Sequence, residues 1–162
     1  MILDILRYPN KCLDTPTEEV FEINEALLNK INNMIDTMYE NNGCGLAANQ
    51  VGFTESILVF DCSEEEDQPN CMINPVIVST AGNEVNQEGC LSFPDIGVHV
   101  ARPMQITVEY LDINGATAKK VFSGPEAVCI HHEVDHLLGK TFLSRVNRNT
   151  RRIAMKKLRK LK

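Results

Sequence analysis

A chain of 162 residues, 43% hydrophobic and 23% charged, suits one domain around one main core and is too apolar for a disordered or fibrous protein. Its formal net charge of -6 argues against a nucleic-acid binder that works through a global basic field. No run approaches the ~18 apolar residues of a membrane span. The opening MILDILRYPNK is too short in apolar residues for a signal peptide. The six cysteines include no CxxC pair, which leaves little support for a zinc ribbon or a thioredoxin-type site. A reducing, cytoplasmic setting is expected, and it disfavours a disulfide scaffold.

In chain order, Leu3 to Arg7 reads as a short strand or extended arm, broken by Pro9. Residues 24–42 carry Leu27, Leu28, Ile31, Met34, Ile35, Met38 and Tyr39 at helical spacing, with Asn24 as N-cap and Gly43 as stop. GCGLAANQVG (43–52) follows, its paired glycines favouring backbone freedom or close approach over a regular helix. SILVF (56–60) reads as a strand, DCSEEEDQPN as an exposed loop, and CMINPVIVS as strand-like around Pro75. EVNQEGCLSFP is expected to be a compact loop. Gly97 to Arg102 and Gln105 to Leu111 read as extended. Asp112 to Gly115 is a turn, and Thr117 to Phe122 completes a hairpin. Ser123 or Gly124 then caps a helix over 125–138, with Pro125 in its first turn, Glu126 at its positive end and Gly139 closing it. A basic amphipathic helix fills about 147–162. The expected architecture is α+β: a compact single domain, 1–162, of short, mainly antiparallel strands around a central helix, with a C-terminal helix.

The chemistry is concentrated in His132-Glu133-Val134-Asp135-His136. Residues four apart share a helix face, so both imidazoles can reach one metal ion. Glu133, beside the first ligand, is placed to act as a general base on water without itself being a ligand. A catalytic site of this kind expects a third protein ligand. No acid follows Asp135, so that ligand lies upstream. Cys129 is nearby, but seven helical residues separate it from His136, about 10 Å of rise, too far for one ion to bridge easily. It is read instead as a packed thiol. Cys90, beside Gly89, Glu88 and Ser92, is chemically better placed, and His99 and the other cysteines compete with it.

Three segments together resemble the bacterial-type peptide deformylase family: GCGLAANQ at 43–50, EGCLS at 88–92 and HEVDHL at 132–137, in matching order and separation. The resemblance runs from Tyr8-Pro9 through Gly139. It implies Cys90, His132 and His136 as metal ligands and Glu133 as catalytic base. Gln50 and the Leu91 backbone N–H would assist at the developing oxyanion. Gly45 would meet the peptide backbone, beside Gly89. Cys44, Val128 and Cys129 are expected to line an apolar recess for a methionine side chain. The implied reaction is hydrolysis of the N-formyl group from N-formylmethionyl nascent peptides, releasing formate. The implied cofactor is one divalent ion, Fe2+ in the cell, with Zn2+, Ni2+ or Co2+ able to occupy the same ligands. Two departures stand out. His131 occupies the place of a usual glutamine, and Cys44 that of a larger aliphatic residue. His131 is expected beside the ligands or facing solvent, and Arg102 either pairs with Glu88 or is solvated.

Residues 145–162 hold nine Lys or Arg and no acid. Arg151, Arg152, Lys156, Lys157, Arg159, Lys160 and Lys162 would form a cationic surface, with Ile153, Met155, Leu158 and Leu161 supplying apolar material. By the same resemblance this tail could dock on the ribosome, phosphate attraction being the physical reason. A monomer with no membrane partner is expected. A general metallopeptidase is the rival enzyme reading, since HExxH alone permits it. A structural-zinc RNA-binding protein is the rival outside enzymes, opposed by the negative body.

Overall fold

A computed structural model describes residues 1–160 of the chain. Leu161 and Lys162, counted above with the basic tail, lie outside the described residues. Helix α1 (Glu25–Glu40) begins where the Asn24 side chain accepts the Leu27 N–H at 2.9 Å. It buries Leu27, Ile31, Met34 and Met38, the stripe its periodicity predicts. Helix α2 (Gly124–Leu137) follows Ser123 as N-cap residue, although the Ser123 side chain makes no capping bond. It is followed by Gly139 at φ 76°, a left-handed turn that glycine adopts freely. Helix α3 (Arg148–Lys160) closes the described chain.

The strands are β1 (Gly45–Ala47), β2 (Ile57–Phe60), β3 (Asn70–Ala81), β4 (Glu84–Cys90), β5 (Phe93–Arg102), β6 (Gln105–Leu111) and β7 (Thr117–Ser123). They form an antiparallel five-stranded sheet in the order β1-β2-β3-β6-β7 and a separate β4-β5 hairpin. The architecture is α+β. Pro75 sits in β3 where the register with β6 shifts between Ile73 and Val76. A residue without an N–H is tolerated at such an irregularity.

One local expectation changes and two open ones are decided. Residues 84–90, expected as a compact loop, are strand β4. Its side chains give almost no apolar alternation, because Val85 is exposed and the ribbon is held by its ladder to β5. Of the two readings of Leu3 to Arg7, the extended arm holds: it pairs with no strand among the described residues. The Leu6 N–H donates to Gln50 O at 2.7 Å and the Tyr8 N–H to Ser92 O at 3.0 Å, so the arm ties two site segments together. GCGLAANQVG is split into β1 and a 3-10 turn over Ala48–Val51.

Helices α1 and α2 pack with the five-stranded sheet around one apolar cluster that includes Met34, Met38, Leu46, Leu58, Met72, Ile106 and Ile130. A second cluster joins the hairpin to α3 through Phe93, Val98, Val100, Phe142, Ala154 and Leu158. The face of α2 that bears His132 and His136 therefore meets the β4-β5 turn along the boundary between two packed layers.

Candidate metal centre and cleft

Cys90 ends β4 just before the tight turn Leu91–Ser92, and the register shifts between Glu88 and Cys90, at Gly89. This turn swings the thiol toward α2. The Cys90 sulfur lies 3.3 Å from His136 Nε2, which lies 3.2 Å from His132 Nε2. Donors on an ion with ordinary bond lengths and tetrahedral angles stand about 3.4–3.6 Å apart, so the set needs only slight expansion to accept one. His99 and Cys129 are not members of this group.

The tautomer of His132 favours the same reading. Its Nδ1 lies 2.9 Å from Glu88 Oε1, a carboxylate that accepts the Nδ1–H, so Nε2 is the nitrogen that faces Cys90 and His136 and would bind a cation once it gives up its proton. Burial opposes charge on both imidazoles. At His136 burial prevails and holds the ring neutral, with its pKa well below the ordinary value. At His132 the surrounding Glu133, Cys90 and Glu88 outweigh burial and push the pKa up. A thiol, two imidazoles and two carboxylates in one small buried volume thus favour positive charge at their centre, which a divalent cation would supply.

Arg102 is 1% exposed and anchors the surroundings. Its guanidinium donates to Glu88 at 2.6 and 3.0 Å and to Asp135 at 2.9 Å. Asp135 also receives Arg145, with one contact at 2.8 Å. Burial alone would raise both carboxyls, yet bonds from His132 and Arg102 to Glu88, and from Arg145 and Arg102 to Asp135, hold them below their ordinary range. Of the two readings of Arg102, the paired one holds. His131 is not solvent-facing: it is buried, with Nδ1 2.8 Å from Arg102 Nη1. Adjacent helix residues differ by about 100°, which rotates His131 away from the cation position but into this ion-pair layer. Burial, then Arg145, lowers its pKa to about 4, so it is a neutral acceptor at pH 7.

Glu133 is 4% exposed, and burial pushes its carboxyl up to about 7. A carboxylate poised near neutrality can both take and return a proton. Its Oε1 has no hydrogen-bond partner among the described residues. Space for the side chain depends on Gly45, where a Cβ would fall 2.7 Å from Glu133 Oε2 and 2.7 Å from the Cys129 sulfur. Gln50, 2% exposed in the 3-10 turn, is fixed through its Oε1, which accepts the Ala47 N–H at 2.9 Å. Its Nε2 donates to Ser92 Oγ at 3.2 Å and faces the Cys90 sulfur at 3.6 Å.

A cleft of about 880 Å³ opens over these groups. Gln50, Leu91 and Glu133 line it, as do Cys44, Gly45, Gly89, Val128 and Cys129, along with the ligand candidates Cys90 and His132. His136 lies deeper, fully buried. Several contributors were not singled out as site residues by the sequence reading. Asn49 Nδ2 donates to the His136 carbonyl, Phe142 meets His132 edge-on with ring centroids 5.9 Å apart, and Ile96 reaches the cleft from β5. Asn49 lies within the GCGLAANQ segment, but its bond to a residue 87 positions away is set by packing, and Phe142 and Ile96 belong to none of the three motifs.

Residues 2–152 match the family model for polypeptide deformylase. The chain belongs to the polypeptide deformylase family. It is 43% identical over 164 residues to a peptide deformylase of Aquifex aeolicus, covering 99% of this chain and 97% of that one. The crystal structure of a peptide deformylase from Legionella pneumophila superposes with a TM-score of 0.94 at 36% identity, covering 99% and 95% of the two chains. The peptide deformylase of Ehrlichia chaffeensis in complex with actinonin gives 0.93 at 37% identity, covering 99% and 98%. The deformylase resemblance of the three sequence motifs thus extends to nearly the whole chain, fold included.

Proposed function

We propose that this deformylase-family chain hydrolyses the N-formyl group of N-formylmethionyl peptides, giving formate and a free amino terminus. The observation that carries the reading is the convergence of Cys90, His132 and His136 beside Glu133 and Gln50 at the base of an accessible cleft. A divalent ion held by those three residues would supply Lewis acidity toward a carbonyl oxygen and make a nearby water more acidic. Glu133 takes the proton as water adds to the formyl carbon. Gln50 Nε2 and the Leu91 N–H donate to the oxyanion that forms. Glu133 then returns the proton to the departing amine, and the C–N bond breaks. Gly45 and Gly89 let the peptide backbone approach, and Cys44, Val128 and Cys129 receive the methionine side chain.

Cys-His-His ligation is compatible with Fe2+ and with Zn2+, Ni2+ or Co2+. We take Fe2+ as the cellular ion, the whole of 1–162 as one catalytic unit acting as a monomer, and the cytoplasm as its setting. Nascent chains as substrates place the reaction near the ribosome. The exposed Arg151, Arg152, Lys156, Lys157, Arg159 and Lys160 of α3 support docking to ribosomal RNA phosphates.

The test is formate release from formyl-Met-Ala-Ser by anaerobic, Fe2+-loaded protein, beside Glu133→Ala. Rapid release by the parent and loss of at least about 10²-fold in the variant are expected. No release from folded, metal-loaded parent protein would overturn the assignment.

A further inference from the structure

Three cysteines outside the metal centre also converge. Cys44 precedes β1, Cys62 follows β2 and Cys129 lies on α2, and their sulfurs are within 4.8 Å of one another. The sulfurs of Cys44 and Cys129 are 3.4 Å apart. The backbone holds the group together at the Cys44 carbonyl. It accepts the Asp61 N–H at 2.9 Å and the Cys129 S–H at 3.4 Å, joining strand end, loop and helix at one atom. Cys129 is buried, Cys62 partly buried and Cys44 exposed to the cleft, so the cluster is preformed yet reachable.

We propose that Cys44, Cys62 and Cys129 form a second site, made only of thiolates, for a thiophilic d10 cation: Zn2+ or Cu+. Three thiolates around such an ion at ~2.3 Å stand about 3.8 Å apart, close to the present spacing. Soft sulfur donors select these ions over Mg2+ or Ca2+. The Cys44 thiol already has a lowered pKa, chiefly through its side-chain contacts with the Cys129 and Cys62 thiols. Those two keep their protons and have raised pKa values. A cation replaces the thiol protons: each S–H bond that breaks releases its proton to solvent as an S–metal bond forms, with no change of oxidation state. Binding therefore tightens as pH rises.

The site is distinct from Cys90, His132 and His136 but adjoins their cleft. The Cys129 sulfur and Glu133 Oε2 lie equally close to the position of a Cβ on Gly45. An ion there draws Cys44 and Cys129 out of the recess proposed for the methionine side chain and places charge beside the base. The second equivalent is therefore inhibitory. That consequence rests on the proposed deformylase reaction; the binding itself does not.

The test uses the full chain, reduced and anaerobic. In one arm Zn2+ is titrated against a chromophoric chelator. In the other, protein carrying one equivalent of Zn2+ is titrated with Cu+ and followed by thiolate-to-copper absorption. The parent is expected to take up a second ion in at least one arm, and the arm identifies which. Cys62→Ala, whose side chain lies outside the cleft lining, is expected to retain the first equivalent and its turnover, and to lose both the second ion and inhibition by it. Cys44→Ile, which fills its place with an aliphatic side chain, loses the second ion as well; circular dichroism establishes that both variants fold. A stoichiometry of one in both arms for the parent, or an undiminished second ion in folded Cys62→Ala, would overturn the proposal. Stoichiometry is read without turnover, so failure of the deformylase reading is recognised separately.

Discussion

Gly45 lies against Glu133 so closely that a single methyl group on its Cα would stand 2.7 Å from Oε2 and 2.9 Å from Cγ of that carboxylate side chain. The proposed base and the strand edge beside the cleft are therefore fitted to each other through an absent side chain. Gly45→Ala is expected to displace Glu133 and lower kcat/KM by about 10²-fold, the usual cost of ångström-scale misplacement. Overpacking should cost roughly 1–3 kcal/mol of stability. Steady-state kinetics and denaturant unfolding check both. Unchanged kcat/KM would show that the carboxylate does not depend on this contact.

Arg102 is the only cation that bonds Glu88 among the described side chains, apart from His132 when that ring is protonated. Arg102→Met leaves Glu88 short of its buried partner, while Asp135 retains Arg145. Breaking a buried pair from one side typically costs about 3–5 kcal/mol, and the retained partners point to the lower end. The loss of orientation at His132 should also weaken metal affinity by about 10–100-fold. Urea unfolding and chelator competition measure the two effects independently.

Acid stability is expected to depend on Asp61. Burial would raise its carboxyl, but donation from Ser63, Tyr39 and Gln68 prevails and lowers it to about 2. A folded pKa below the unfolded one, ordinarily about 3.9, makes the contribution full at higher pH. It is lost as pH falls from about 4 toward about 2. Asp61→Asn should remove this component and flatten the unfolding midpoint over that window. A parallel pH profile for parent and variant would assign the acid limb to other carboxylates.

Ribosome docking is best tested by charge rather than by deletion. Ala154 and Leu158 of α3 are buried against the hairpin layer, so removing the helix would expose Phe93 and Phe142 and confound folding with binding. Arg152→Glu with Lys156→Glu alters only exposed positions. It should weaken ribosome sedimentation, reduce the salt dependence of binding, and leave formyl-tripeptide turnover within about twofold. Equal sedimentation of parent and variant would remove α3 from the docking surface.

Local relations were legible from the residues alone. Helix α1 follows from its Asn24 cap and apolar period, and α2 from Pro125, Glu126 and Gly139 around it. A rise of about 1.5 Å per residue brings His132 and His136 to one face wherever the helix packs. The turn at 112–115 and its flanking strands are likewise encoded within a few residues. The third candidate ligand was not: spacing left Cys90 in competition with His99 and the other cysteines, and only the resemblance of EGCLS singled it out. The meeting of Cys90 with α2 depends on the β4-β5 turn and on which face of α2 that turn meets. The burial of His131 under Arg102, the strand character of 84–90 and the gathering of Cys44, Cys62 and Cys129 have the same origin. Each is a contact between segments tens of residues apart, set by strand register and helix packing. Periodicity reports which side of an element is apolar, whereas tertiary packing decides which polar groups are shut in together, and there the chemistry of this chain resides.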